Sequence, residues 1–162
     1  MYEETLKQAF VEAFSSLIEN KAEIFDGYGA VIKVLTDSTA LDAERKTLQE
    51  ECGVVMELMR KCVEENAHSA IEQTDYQSRY STLLERYETV KSRLKEVNED
   101  RQERKVKREN IFQFLYVLKN SDTLLGEFDE ELWHATVDRV IATPRHEITF
   151  RFKNSTELLW TI

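Results

Sequence analysis

Apolar residues in the first part of the chain recur every three or four positions: Leu6, Phe10, Phe14, Leu17, Ile18, Ile24, Phe25, Tyr28, Val31, Ile32 and Leu35. That spacing has the period of a helix and predicts helix over residues 2–35. The stripe is wide and rich in aromatic rings, so it has to be buried against something substantial. Gly27 and Gly29 interrupt it and weaken the helix, which predicts either a kink there or a neighbouring element passing close. DSTALDAE (37–44) then reads as a break and a new start, with Ser38 or Thr39 as N-cap.

The next two segments carry heptads. Leu41, Leu48, Val55 and Cys62 are seven apart, and Arg45, Cys52, Met59 and Asn66 form a companion series. Further on, Tyr80, Tyr87, Leu94, Arg101, Arg108 and Leu115 form one series, and Tyr76, Leu83, Val90, Val97, Arg104, Ile111 and Leu118 the other. Such a pattern is the signature of a coiled-coil seam. If the chain folds back on itself, facing residues have numbers with a constant sum. A sum of 142 pairs Leu48 with Leu94, Cys52 with Val90, Val55 with Tyr87, Met59 with Leu83 and Cys62 with Tyr80. Each match sets one series against its complement, as an antiparallel pair requires; pairing in trans with another molecule needs no such sum. The midpoint is Ile71, inside NAHSAIEQTD (66–75), which becomes the tip. At the other end the sum pairs Arg45 with Val97 and Leu41 with Arg101. The seam turns polar there, and Arg45 and Arg101 mark an expected hinge.

After about Asn120 the pattern changes. FDEELWHATV (128–137) reads as a short helix capped by Asp129, with Leu132, Trp133 and Val137 on its inner face. In ITFRFK (148–153), Ile148, Phe150 and Phe152 alternate with Thr149, Arg151 and Lys153. ELLWTI (157–162) alternates again, and with DRVIAT (138–143) the three segments predict a β-meander. Three short strands are too few to stand alone. They should pack on the first helix and on residues 111–118, covered by Phe10, Phe14, Phe112, Phe114 and Tyr116.

The expected fold is therefore mostly α with a small β-meander: a long antiparallel coiled-coil hairpin projecting from a small α+β base. Residues 1–37 supply the base helix and 38–110 the hairpin. Residues 111–162 return with a helix, a short helix and strands that pack on the base.

Composition sharpens this picture. The chain has 162 residues, 41% hydrophobic and 33% charged, with only four Gly and one Pro, a profile suited to long helices with solvated faces. The net charge of −9 excludes a surface that grips nucleic acid everywhere, though local basic patches remain possible. No apolar run reaches membrane-spanning length and no signal-peptide pattern opens the chain, so a cytoplasmic protein with no membrane partner is expected. Cys52 and Cys62 match no zinc spacing and read as reduced, buried thiols.

There is no Gly-rich phosphate loop, HExxH or CxxC, and His68, His134 and His146 are scattered. No enzyme activity, catalytic residue, cofactor or metal is expected of this chain as given. The basic run RQERKVKR (101–108) reads as a solvated helix face more readily than as a DNA contact. The meander is the better candidate: Arg139, Arg145, Arg151 and Lys153 decorate it and could reach phosphates.

YEETLKQAFVEAFSSLI, ENAHSAIEQTDYQSRYSTLLERYE and above all FDEELWHATVDRVIA followed by ITFRFKNSTEL resemble the C-terminal region of large serine recombinases, the phage integrases and transposon resolvase-invertases. The resemblance covers nearly the whole chain. It implies that the chain begins just after the last cysteine of a zinc ribbon. The catalytic serine, its arginine partners and the zinc ligands would then belong to an absent upstream part of the parent, and Met1 would be an added residue. It also implies a role for the tip. In that family, tip contacts bring together recombinase dimers bound at two DNA attachment sites, and a directionality factor can act near the stalk. Ala67, His68, Ala70, Ile71 and Tyr76 would then meet another copy of the recombinase. Taken without the resemblance, Ile71 could instead fold back as a cap on the hairpin, and the chain could be a coiled-coil scaffold or adaptor with no DNA role.

Overall fold

In the computed structural model the described residues are 3–68, 72–143 and 147–161. Five helices precede and flank three strands: α1 (Glu3–Glu19), α2 (Lys21–Thr36), α3 (Thr39–His68), α4 (Gln73–Asn120), α5 (Glu130–Thr136), β1 (Val137–Ala142), β2 (Glu147–Phe152) and β3 (Glu157–Thr161). They divide into two compact units, Met1–Thr36 with Lys105–Ile162, and Asp37–Arg104.

The first unit is built around an aromatic core. α1 buries Ala9, Phe10, Ala13, Phe14, Leu17 and Ile18, and α4 adds Ile111, Phe114, Leu115 and Leu118. The sheet closes the core with Ile148, Phe150 and Phe152, the three positions picked out by strict alternation. Phe10 meets Trp133 at 5.0 Å between ring centroids, and Trp133 meets Phe150 edge-on at 6.1 Å, geometries that suit the ring quadrupoles. Two of the five aromatics expected to cover the sheet do not. Phe112 and Tyr116 face outward, because a helix that buries positions 111, 114, 115 and 118 turns 112 and 116 to its far side.

The break in the first helical run lies at Asn20, not at the glycines. The Asn20 side-chain amide and its backbone N–H both donate to the Ser16 carbonyl, at 2.9 and 3.2 Å, so side chain and backbone compete for one acceptor. Gly27 and Gly29 lie inside α2, and a Cβ at either would meet nothing within 4 Å, so no close neighbour requires them. α2 buries no residue fully; Ile24, Phe25, Tyr28, Ile32 and Leu35 only edge the core.

Asp129 caps α5 and accepts the Leu132 N–H at 2.9 Å. Val137, expected on that helix, instead caps it in extended conformation and opens β1. The sheet is an antiparallel meander in the order β1-β2-β3. β1 pairs Val137 with Phe152 and Arg139 with Arg151, leaving Asp138 as the extra residue of a bulge. Trp160 ties β3 to α1 by donating from Nε1 to Glu12 at 3.2 Å.

The second unit is the antiparallel helix pair α3 and the part of α4 up to Arg104. Between residues 72 and 104 the only positions not exposed are Tyr76, Tyr80, Leu83, Tyr87, Val90, Leu94, Val97, Arg101 and Arg104, all members of the heptad series. Val55, Cys62 and Val97 are fully buried and the other seam residues half-buried, as expected where two helices alone make a core. Cys52 is among the half-buried ones, and both cysteines are free thiols. No helix among the described residues is long and apolar enough to cross a membrane.

Candidate functional site

On the hairpin, α3 closes with Ala67 and His68, both exposed, while Ala70 and Ile71 lie outside the described residues. Tyr76 is not a free tip residue. It sits half-buried in the seam with its ring 5.9 Å from that of Tyr80. Across the pair, Arg79 bonds Glu65 at 2.9 Å, Arg86 bonds Glu51 at 2.7 Å and Arg93 bonds Glu44 at 2.7 Å. All six residues precede a seam position by one, so they flank the same side of the interface, where opposite charges fix partner and direction. The heptads held this information, since Glu44, Glu51 and Glu65 occupy that position on one arm and Arg79, Arg86 and Arg93 on the other.

At the opposite end of the pair, Arg101 bonds the Asp42 carboxylate at 2.7 Å, and Arg104 donates to the Asp37 carbonyl at 3.2 Å. Ser38 precedes the first residue of α3, and its hydroxyl bonds Asp42. The Ser38 hydroxyl, with Arg101 and Arg45 nearby, holds the Asp42 carboxyl below the ordinary aspartate range. The Nε atoms of Arg45 and Arg101 are buried without a hydrogen-bond partner, an arrangement that costs free energy. The polar end of the seam is thus fastened by ions while retaining two unsatisfied donors, and swinging there would require the Arg101–Asp42 and Arg104–Asp37 bonds to open.

On the sheet, the structure brings Arg139 and Arg151 side by side as direct cross-strand partners on the face away from the core. The bulge residue Asp138 stands by both, 3.4 Å from Arg139 and 3.8 Å from Arg151, and Glu157 is 3.9 Å from Arg151. Two adjacent guanidinium groups can grip successive phosphates, and the two carboxylates hold them in place and reduce their net charge. Lys153 is turned aside: its ammonium bonds the His134 carbonyl near the end of α5. Arg145 lies outside the described residues. The acids beside these cations were visible in the sequence as Asp138 and Glu157, but only the bulge and the strand register show that they converge.

Among the described residues no three His, Cys, Asp or Glu side chains gather as a metal-binding group. Comparison with known proteins returns no matching family model, no matching curated protein and no matching solved structure.

Proposed function

We propose that the chain is the C-terminal, non-catalytic part of a site-specific serine recombinase, with the hairpin tip joining DNA-bound copies and the outer face of the meander contributing phosphate contacts. The observation that carries this is the order of parts along the chain. A helix, a long antiparallel hairpin, a return helix and a short helix with three strands follow one another as the resemblance implies. The exposed end of α3 at Ala67 and His68 and the paired Arg139 and Arg151 supply surfaces of the right kind.

A tip of about ten residues buries less than a standard interface, under ~1,200 Å² in total, so its contacts are weak and reversible. Two such contacts between DNA-bound copies gain from effective concentration, while free molecules stay apart. A directionality factor acting on the same hairpin would change which tips can meet.

The test is a tip substitution in the full-length parent. Ile71→Asp, or a Gly/Ser loop in place of residues 67–74, should leave binding to one attachment site intact while pairing of two sites drops. Equal loss of single-site binding would refute the role of the tip. A parent without upstream catalytic and zinc-binding domains would favour a scaffold or adaptor instead.

A further inference from the structure

A second surface, on α4, is left uncovered by the described residues. On the outward side of α4, Phe112 is 49% exposed and Tyr116 67% exposed, one turn apart. With Phe25 of α2 they line an open groove of about 770 Å³, at whose margins stand Arg108, Glu109 and Lys119. Large apolar groups gathered at one spot mark contact surfaces more often than scattered ones do. The charges say which partner fits. Glu109 precedes the aromatic pair by one turn and is held only loosely by Lys105, at 3.9 Å. Lys119 follows the pair by one turn and has no acidic partner among the described residues.

We propose that this face of α4 docks on the same face of a second copy, helix antiparallel to helix, about a twofold axis that crosses the outward face at the level of residue 114. Facing residues then have numbers that sum to 228. Phe112 meets Tyr116 of the second copy, and Glu109 meets Lys119 of the second copy, each pair occurring twice by symmetry. Such self-complementarity is what a twofold interface demands. Neighbouring registers lose it. A slip of one turn in one direction sets Lys119 against Lys105. The opposite slip leaves Glu109 beyond the end of the facing α4 and Phe112 facing its last residue, Asn120. The contact is limited to about four turns of helix and the edge of α2. It therefore belongs to the small, reversible class of interface, with a Kd of roughly micromolar to millimolar. It uses no tip residue and stands or falls apart from the recombinase reading.

Sedimentation equilibrium of the full chain over a wide concentration range tests it. The expected result is a reversible monomer–dimer equilibrium. Phe112→Ala with Tyr116→Ala should abolish the dimer without loss of helical circular dichroism, since neither ring is in the core. Glu109→Lys or Lys119→Glu alone should weaken it about threefold or more, because each creates two like-charge contacts. The double reversal should restore it to within about a factor of two, the opposite-charge pairs having been re-formed. A monomer at every concentration, a dimer indifferent to both aromatics, or a double reversal no better than the singles would overturn the proposal. So would a dimer lost only with Ile71→Asp, which would place self-association at the tip.

Discussion

Arg93 donates through Nε to the Glu44 carboxylate at 2.7 Å, joining residues 49 positions apart in the chain. Glu44, with Glu96, raises the affinity of the Arg93 guanidinium for its proton. Together with Arg86–Glu51 and Arg79–Glu65 it forms a row of opposite charges along one flank of the seam. Glu44→Arg or Arg93→Glu alone should lower the melting temperature of the hairpin by ~2–5 °C, and the double reversal should recover most of it. Thermal melts followed by circular dichroism in low salt provide the cycle. A loss in the double variant equal to the sum of the two single losses would show that the pair contributes nothing.

The outward turn of Phe112 and the inward turn of Phe114 give opposite expectations for two neighbouring rings. Phe114 is 2% exposed, in contact with Phe152 at 5.7 Å between centroids, and Phe114→Ala should cost about 3–5 kcal/mol in denaturant unfolding. Phe112→Ala should cost less than ~0.5 kcal/mol in the monomer, as at most surface positions. Comparable losses at the two sites would contradict the orientation of this face of α4.

Acid should loosen the start of α3. The Thr39 hydroxyl and N–H lower the Asp37 carboxyl, and the Ser38 hydroxyl, aided by Arg101 and Arg45, lowers that of Asp42. A depressed folded-state pKa means that the unfolded chain binds the proton more readily. The stabilisation is therefore complete above the ordinary aspartate value of about 3.9 and disappears as pH falls through the folded value. Asp42→Asn should destabilise the protein at pH 7 and shrink the difference in melting temperature between pH 5 and pH 3. An unchanged pH dependence in that variant would remove Asp42 from the account.

One polar cluster locks α2 to the sheet. Asn154, 6% exposed, donates to the Tyr28 hydroxyl at 2.7 Å and to Thr156 Oγ1 at 2.9 Å, and the Tyr28 and Thr156 hydroxyls bond each other. Tyr28→Phe removes the shared hydroxyl and leaves Asn154 short of a partner, which should cost about 1–3 kcal/mol. Between Asn154 and Thr156, Ser155 has φ of 71°, in the left-handed region. Ser155→Gly relieves that conformation and should be neutral or stabilising by up to ~1 kcal/mol. Urea unfolding of both variants measures the two effects, and a stabilising Tyr28→Phe would contradict the first.

Arg139 and Arg151, if they hold phosphates in the DNA-bound parent, should act through charge rather than sequence. Replacing both by Gln should weaken binding to specific and unrelated duplexes alike and reduce the salt dependence by about two phosphate contacts. A loss confined to the specific site would point to base recognition instead.

What the sequence alone determined is the periodic part of this protein. The heptads set the seam of the hairpin residue by residue, down to the half-buried Arg101 and Arg104, because a two-helix interface is local and its pattern repeats along the chain. Strict alternation likewise chose Ile148, Phe150 and Phe152 for the core. The tertiary structure decided what periodicity leaves free. A helical stripe wider than one contact face does not say which aromatics find a partner; Phe112 and Tyr116, expected inward, lie outward because Ile111, Phe114, Leu115 and Leu118 form the face of α4 that fills the core. A bulge at Asp138 is a register event between strands, invisible until they pair, yet it sets which carboxylates stand beside Arg139 and Arg151. The break at Asn20 arose from a side chain competing for one carbonyl, while the two glycines, the more conspicuous helix breakers, remained helical within α2.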